Sequence, residues 1–201
     1  GTPLRHLLAL GRQQGGLVQA AVPGQANVPG QANVPGQTGA VLVGGYHGAW
    51  LTAAEAARVP LSNAALRPLD AAVGAGVLAA LPATRCGLAE TARVVRYLAL
   101  ESAGQCGPCF NGLPRIAAAL AELAGPRPRP AARGDLERWC GLVTGRGACH
   151  HPDGTVRLVR SAMRVFGSEI GRHARGGCTG TSDRPFLPLP AEPAIDDADW
   201  R

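Results

Sequence analysis

At 201 residues the chain is long enough for one or two domains with a real core. It carries 28 glycines and 17 prolines, is 4% aromatic, and has a net charge of +6 built on arginine with no lysine. The arginines are scattered through amphipathic runs, with no basic cluster alternating with aromatics, which argues against a nucleic-acid partner; no apolar run is long enough to span a membrane and no signal peptide opens the sequence.

Gly1 rather than a methionine begins what reads as a structured segment, so a piece or processed form of a longer protein is expected. Six cysteines are an even number, but a chain of this size can form a core without disulfides. With no secretion signal the expected location is the cytoplasm, with membrane association only through a complex. In that reducing setting a Cys-x-x-Cys reads as metal-binding or redox.

Thr2-Pro3-Leu4 opens an amphipathic run to Leu10 with helical spacing. Val22-Pro23-Gly24-Gln25-Ala26-Asn27 then repeats as Val28 to Asn33 and begins again at Val34. Pro-Gly every six residues forms turns and the polar spacer buries no face, so about 22–38 reads as a disordered, low-complexity insertion. Ala40-Val41-Leu42-Val43 predicts a strand, ending in the glycine-rich turn segment Gly44 to Leu51, where His47 reads as a turn or surface histidine. Thr52, with Glu55 three residues later, predicts a capped short helix to Arg58. A turn and a strand follow within Ala71 to Leu81. Residues 1–82 therefore read as a small mixed α+β domain.

After Pro82 the period becomes helical. Helices are predicted over Leu88–Leu100, Leu113–Leu123, Asp135–Val143 and Thr155–Arg175, the last being the longest. Four amphipathic helices on short links predict an antiparallel four-helix bundle over 83–178. Residues 179–201, rich in Pro and Asp, read as a disordered tail.

The chemistry concentrates in Glu101-Ser102-Ala103-Gly104-Gln105-Cys106-Gly107-Pro108-Cys109. Thiolates suit zinc, copper(I) and iron–sulfur clusters. Cys149 lies 40 residues beyond Cys109, in Ala148-Cys149-His150-His151, and a chain folded back on itself would let Cys106, Cys109 and Cys149 share one centre. With His150 or His151 the set could hold zinc; with a further thiolate it could hold a cluster. A thioredoxin-like dithiol is a poor reading, because the pair follows a helix and not a strand. Cys86 and Cys140 read as buried core residues, and Glu101 as the end of a helix.

This cysteine loop, continued by Asn111-Gly112, resembles the Glu-Ser-Cys-Gly-x-Cys-x-Pro-Cys-Arg-Glu-Gly signature of the NADH-quinone oxidoreductase F subunit, the flavoprotein of respiratory complex I. Val41 to Gly48 and Gly1 to Arg5 resemble parts of the ubiquitin-like β-grasp (SLBB) domain that precedes the cluster domain in that family. The resemblance runs over about 1–175 outside the repeat. It implies an α+β chain: a β-grasp domain followed by a helical domain in which three loop cysteines and one distant cysteine hold a 4Fe–4S cluster. Cys106, Cys109 and Cys149 match three of those positions, and Ala103 stands where the family has its first. A 3Fe–4S cluster, a lost cluster, or a substitute ligand (Cys178, Cys140, His150 or His151) would each answer that difference, with Cys178 ranked first.

The family's glycine-rich flavin and NADH domain has no counterpart here, so no residue is assigned a catalytic, FMN-binding or NAD-binding role. The implied function is electron transfer between a flavin, on a missing domain or partner, and a ferredoxin-like carrier. The alternative is a structural or docking module whose cluster is lost or replaced by zinc.

Overall fold

The computed structural model describes residues 2–13, 17–18, 38–181 and 185–190. Residues 22–37 of the expected insertion lie outside them. Helix α1 (Leu4–Gln13) follows a bridge between Pro3 and Pro60 and buries Leu4 and Leu8, one turn apart. Four antiparallel strands, β1 (Leu17–Val18), β2 (Thr38–Val43), β3 (Ala49–Thr52) and β4 (Leu78–Pro82), form a sheet in the order β1-β4-β2-β3.

Strand β3 is absent from the sequence reading, which ran its residues into the glycine turn. It pairs with β2 through Val41 opposite Leu51 and Leu42 opposite Trp50. Gly44 and Gly45 turn the hairpin at φ 93° and 85°, a left-handed region open to glycine.

Strand alternation divides the interior. Val41 and Val43 point to one side, with Leu4, Leu8, Leu51, Ala56 and Leu66. Ala40 and Leu42 point to the other, with Trp50, Leu81 and the helical half of the chain. The first side is roofed by α1, α2 (Ala53–Arg58), α3 (Asn63–Leu66) and a short 3-10 turn (Arg67–Leu69). Helix α2 starts on the expected capping box: the Glu55 amide donates to Thr52 Oγ1 at 3.1 Å, and the Thr52 amide donates to Glu55 Oε2 at 2.8 Å. The sheet lends residues to both of these core clusters.

On the second side, α4 (Gly87–Leu100), α5 (Leu113–Ala124), α6 (Ala132–Val143) and α7 (His151–Val165) each pack on the next, and α7 returns to α4 and to β3. Trp50 fastens the sheet to this layer. It is fully buried; its indole N–H donates to Thr91 Oγ1 at 2.9 Å and its amide to Ser161 Oγ at 2.9 Å. Phe166 meets it edge-on, with ring centroids 5.2 Å apart.

Phe166 also corrects the expected long helix over Thr155–Arg175. The chain leaves helical geometry at Phe166 (φ −104°, ψ 23°), and α8 (Gly167–Ala174) begins after it. The break turns the ring inward against Gly87, where even a methyl group would collide with it, the ring carbons lying 2.1–2.4 Å from a Cβ position.

Within the segment expected to be a disordered tail, the described residues make contacts with the rest of the fold. The Thr181 amide donates to Thr84 O at 3.0 Å. Further on, the amides of Phe186 and Leu187 donate to the buried Glu90 carboxylate at 2.9 and 3.0 Å, and Tyr46 Oη donates to Pro188 O. Leu187 is buried against the α4 side of the core. No helix among the described residues is long and apolar enough to cross a membrane.

Candidate metal centre

Helix α4 ends where the cysteine loop begins. The Glu101 amide closes it on Tyr97 O at 2.9 Å, and Ser102 Oγ donates to Ala99 O at 2.9 Å. Gly104 at φ 65° reverses the chain. Pro108–Gly112 then forms a π-helical turn that runs into α5. Such wide turns recur at functional sites because they re-aim side chains. Here it follows Cys106 and includes Cys109. Gly112 lets α5 close on α6, since a Cβ there would stand 2.3 Å from Val143 Cγ2.

Cys149 arrives from the α6–α7 connection, which is anchored by the Gly145 amide on Asp153 Oδ1 at 2.8 Å and by Thr144 Oγ1 on Cys140 O at 2.7 Å. The amides of Ala148 and Cys109 donate toward the Cys106 sulfur and hold its thiol below the ordinary range. Cys109, buried, is pushed up by desolvation first, then by the Cys106 sulfur and the field of Cys149. Cys106 and Cys109 thus adjoin each other, and Cys149, from a segment 40 residues beyond Cys109, lies near enough for its charge to act on Cys109. Ala103 is exposed at the rim of the loop.

The histidines considered as ligands are arranged differently. His151 Nε2 donates to Leu98 O at 2.8 Å, and its ring stands edge-on to His47, centroids 4.9 Å apart. His150 is exposed at the start of α7. Cys140 is core, as read from sequence, and burial pushes its thiol up to about 11.

Cys178 is placed in another constellation. Its sulfur lies with Cys86 Sγ, a Glu169 carboxylate oxygen and a His173 ring nitrogen, all within 4.8 Å of one another. Cys86 caps the first turn of α4, its sulfur accepting the Ala89 amide at 3.4 Å. The cysteine loop leaves the other end of that 14-residue helix, about 20 Å away at 1.5 Å per residue. Helix α4 thus separates Cys178 from the centre it was expected to complete. Sequence reasoning took Cys86 for core and passed over Glu169 and His173. Their i, i+4 spacing on one helix, five residues before Cys178, was the available signal.

The comparisons with known proteins agree with the loop. Residues 84–173 match the NADH-ubiquinone oxidoreductase-F iron-sulfur binding region. The NADH-quinone oxidoreductase F subunit of Buchnera aphidicola subsp. Acyrthosiphon pisum (strain APS) is 32% identical over 78 residues, 38% of this chain and 18% of that protein. Its counterpart in Buchnera aphidicola subsp. Schizaphis graminum (strain Sg) is 26% identical over 113 residues, 56% of this chain and 25% of that one. The chain thus spans about a fifth to a quarter of the length of these relatives. Among solved structures, NAD+-reducing NiFe-hydrogenase in its air-oxidized state aligns with TM-score 0.58 and 22% identity over 78% of this chain and 25% of that one. The H2-reduced state gives 0.59 and 23% over 71% and 24%. At that identity the likeness is one of fold.

The matched region is one that binds an iron–sulfur cluster, and the residues present fit one. Cys106 and Cys109 from the loop adjoin each other with Cys149 from a distant segment in their vicinity, and backbone N–H groups are directed at Cys106 to stabilise a thiolate. Residue 103, which the resemblance sets at the first cysteine position, is alanine. Over residues 84–173 the chain is thus similar to the iron–sulfur binding region of NADH-ubiquinone oxidoreductase F subunits.

Proposed function

We propose that the chain is an electron-transfer module in which Cys106, Cys109 and Cys149 hold an iron–sulfur cluster. Single electrons would pass between a flavin, on another domain or partner protein, and a ferredoxin-like carrier. The observation that supports this reading is the Cys106–Cys109 pair at one end of α4 under amide donors from Ala148 and Cys109, with Cys149 close enough to act on Cys109. When bound, the cluster supplies a one-electron couple; the chain supplies ligation, hydrogen bonds to sulfur and partial burial, which tune its potential. Cys109 gives the buried side of the setting, and Phe110, 72% exposed beside it, gives a surface for a partner. In finer architecture we read a β-grasp layer carrying a four-helix bundle of α4 to α7, with α8 added at its end.

Ala103 favours a second reading, a docking module without redox use. Iron and acid-labile sulfide analysis, with low-temperature EPR on protein purified without oxygen, separates the two. The redox module gives iron, sulfide and a cluster signal that Cys106→Ser removes with helicity retained. A folded, iron-free wild type would sink it. Ala103→Cys supplies a fourth thiolate, and it should slow loss of iron in air at least several-fold; equal loss from both proteins would mean that position 103 does not face the cluster.

A further inference from the structure

The second constellation has the span of a single ion. A tetrahedral zinc with Zn–S of about 2.3 Å and Zn–N or Zn–O of about 2.0–2.1 Å sets sulfur and nitrogen ligands ~3.6 Å apart and nitrogen and oxygen ligands ~3.3 Å apart. In the structure, Cys86 Sγ and His173 Nε2 are 3.4 Å apart, and His173 Nε2 and Glu169 Oε1 are 3.6 Å apart. Cys178 Sγ completes the group, with all four ligand atoms within 4.8 Å.

The surroundings orient each ligand. His173 Nδ1 faces Gly125 O at 3.1 Å. A carbonyl only accepts, so that nitrogen carries the proton and Nε2 presents its lone pair to the two sulfurs and the carboxylate. A metal-bound histidine commonly donates its other N–H in this way. The Glu169 carboxylate is fixed by the Thr179 amide at 2.7 Å and Thr179 Oγ1 at 2.8 Å. Cys86 and Cys178 each accept an amide, from Ala89 at 3.4 Å and Gly180 at 3.2 Å.

We propose that Cys86, Glu169, His173 and Cys178 form a second metal centre that binds one zinc ion and pins the segment after α8 to the first turn of α4. Cys86, Glu169 and His173 are all more than nine-tenths buried, and a carboxylate and an imidazole enter such a place with difficulty unless a cation or a hydrogen-bond network meets them. Two thiolates, one imidazole and one carboxylate are a soft-to-borderline set that selects zinc over calcium or magnesium. Four protein ligands leave no open position, which marks a structural ion. Bound zinc would leave one net negative charge on the ligand set; Arg172, 4.0 Å from Glu169 Oε2, lies on that side. The clip holds the segment from Cys178 to Thr181, which meets Thr84 next to Cys86.

The test uses the full chain, produced with zinc, kept reduced and passed over a chelating column. One zinc per chain should survive, and replacing it by cobalt(II) should produce a thiolate-to-cobalt charge-transfer band. Cys178→Ser should lose the zinc and keep the iron; Cys106→Ser should lose the iron and keep the zinc. Zinc that leaves with Cys106→Ser would place it in the loop and overturn the proposal. A reduced wild type that takes up neither zinc nor thiolate-bound cobalt would do the same. Should Cys178→Ser fail to fold, the cobalt band of the wild type decides. Zinc without iron would sink the electron-transfer reading and leave this one standing.

Discussion

The two ends of α4 hold sulfur in contrasting settings. At the C-terminal end Cys106 and Cys149 sit on loops, Cys109 is buried in the π-helical turn, Cys149 is exposed, and Phe110 stands in solvent. At the N-terminal end, Glu169 and His173 lie on α8, Cys86 caps α4 and Cys178 follows α8; three of the four are buried, and every one is held by a hydrogen bond. An electron carrier must bring its centre near a partner, and therefore near the surface. A structural ion gains from being shut away, where water and competing ligands do not reach it. The difference in burial is the one the two proposals call for, a centre for exchange at one end and one that holds at the other.

The sharpest way to break that contrast is to remove what both ends share. Trp50 joins the sheet to α4 through Thr91 and to α7 through Ser161, and it packs on Phe166. Trp50→Ala should cost about 3–5 kcal/mol, read as a lower urea midpoint, and weaken retention of iron and zinc together. Loss of one metal alone would mean that the two ends are not coupled through this core.

A smaller change addresses the buried end by itself. Thr179→Val keeps the shape and the backbone donor to Glu169 but removes the hydroxyl donor at 2.8 Å. Losing such an outer partner should weaken zinc binding by roughly 10–100-fold in a competition titration with a chelator, with iron content unchanged. An unaltered zinc affinity would reduce Glu169 to a bystander.

How far each end could be read from sequence follows from how local its information is. Cys106 and Cys109 share one short loop, and Cys149 needs one chain reversal, which the helical periods and short links imply. Cys86 and His173 are 87 residues apart and meet only because Phe166 ends α7 and turns α8 back. Phe166 keeps the apolar period of the run Val156, Val159, Met163 and Ile170, so periodicity alone reads through the break. Strand β3 was hidden by the glycines before it, although Trp50 and Leu51 face opposite sides of the sheet as a strand requires. Composition also concealed Leu187: Pro-rich surroundings read as tail, whereas the Glu90 carboxylate receives its amide.

Cys140 supplies a third case, a sulfur used for packing alone, and the smallest expected effect. Burial raises its thiol to about 11, against about 8.5–9 in an unfolded chain. A raised folded value means that the native state keeps its proton longer. The resulting stability is fully present below about pH 8.5 and is lost as pH rises toward 11. Cys140→Ala removes this dependence and leaves a small cavity. At pH 7 the variant should be less stable by about 1 kcal/mol, and by about pH 10 the gap should shrink by about 1–2 kcal/mol, because the wild-type unfolded state then gains from ionising its thiol. Urea unfolding of both proteins, kept reduced and at equal metal content, reads the difference directly and cancels the titration of Tyr46, which burial also pushes up, to about 12. Parallel curves from about pH 7 to 10 would show that the Cys140 sulfur meets water in the folded chain, and that its burial differs less from the exposed end of α4 than the packing indicates.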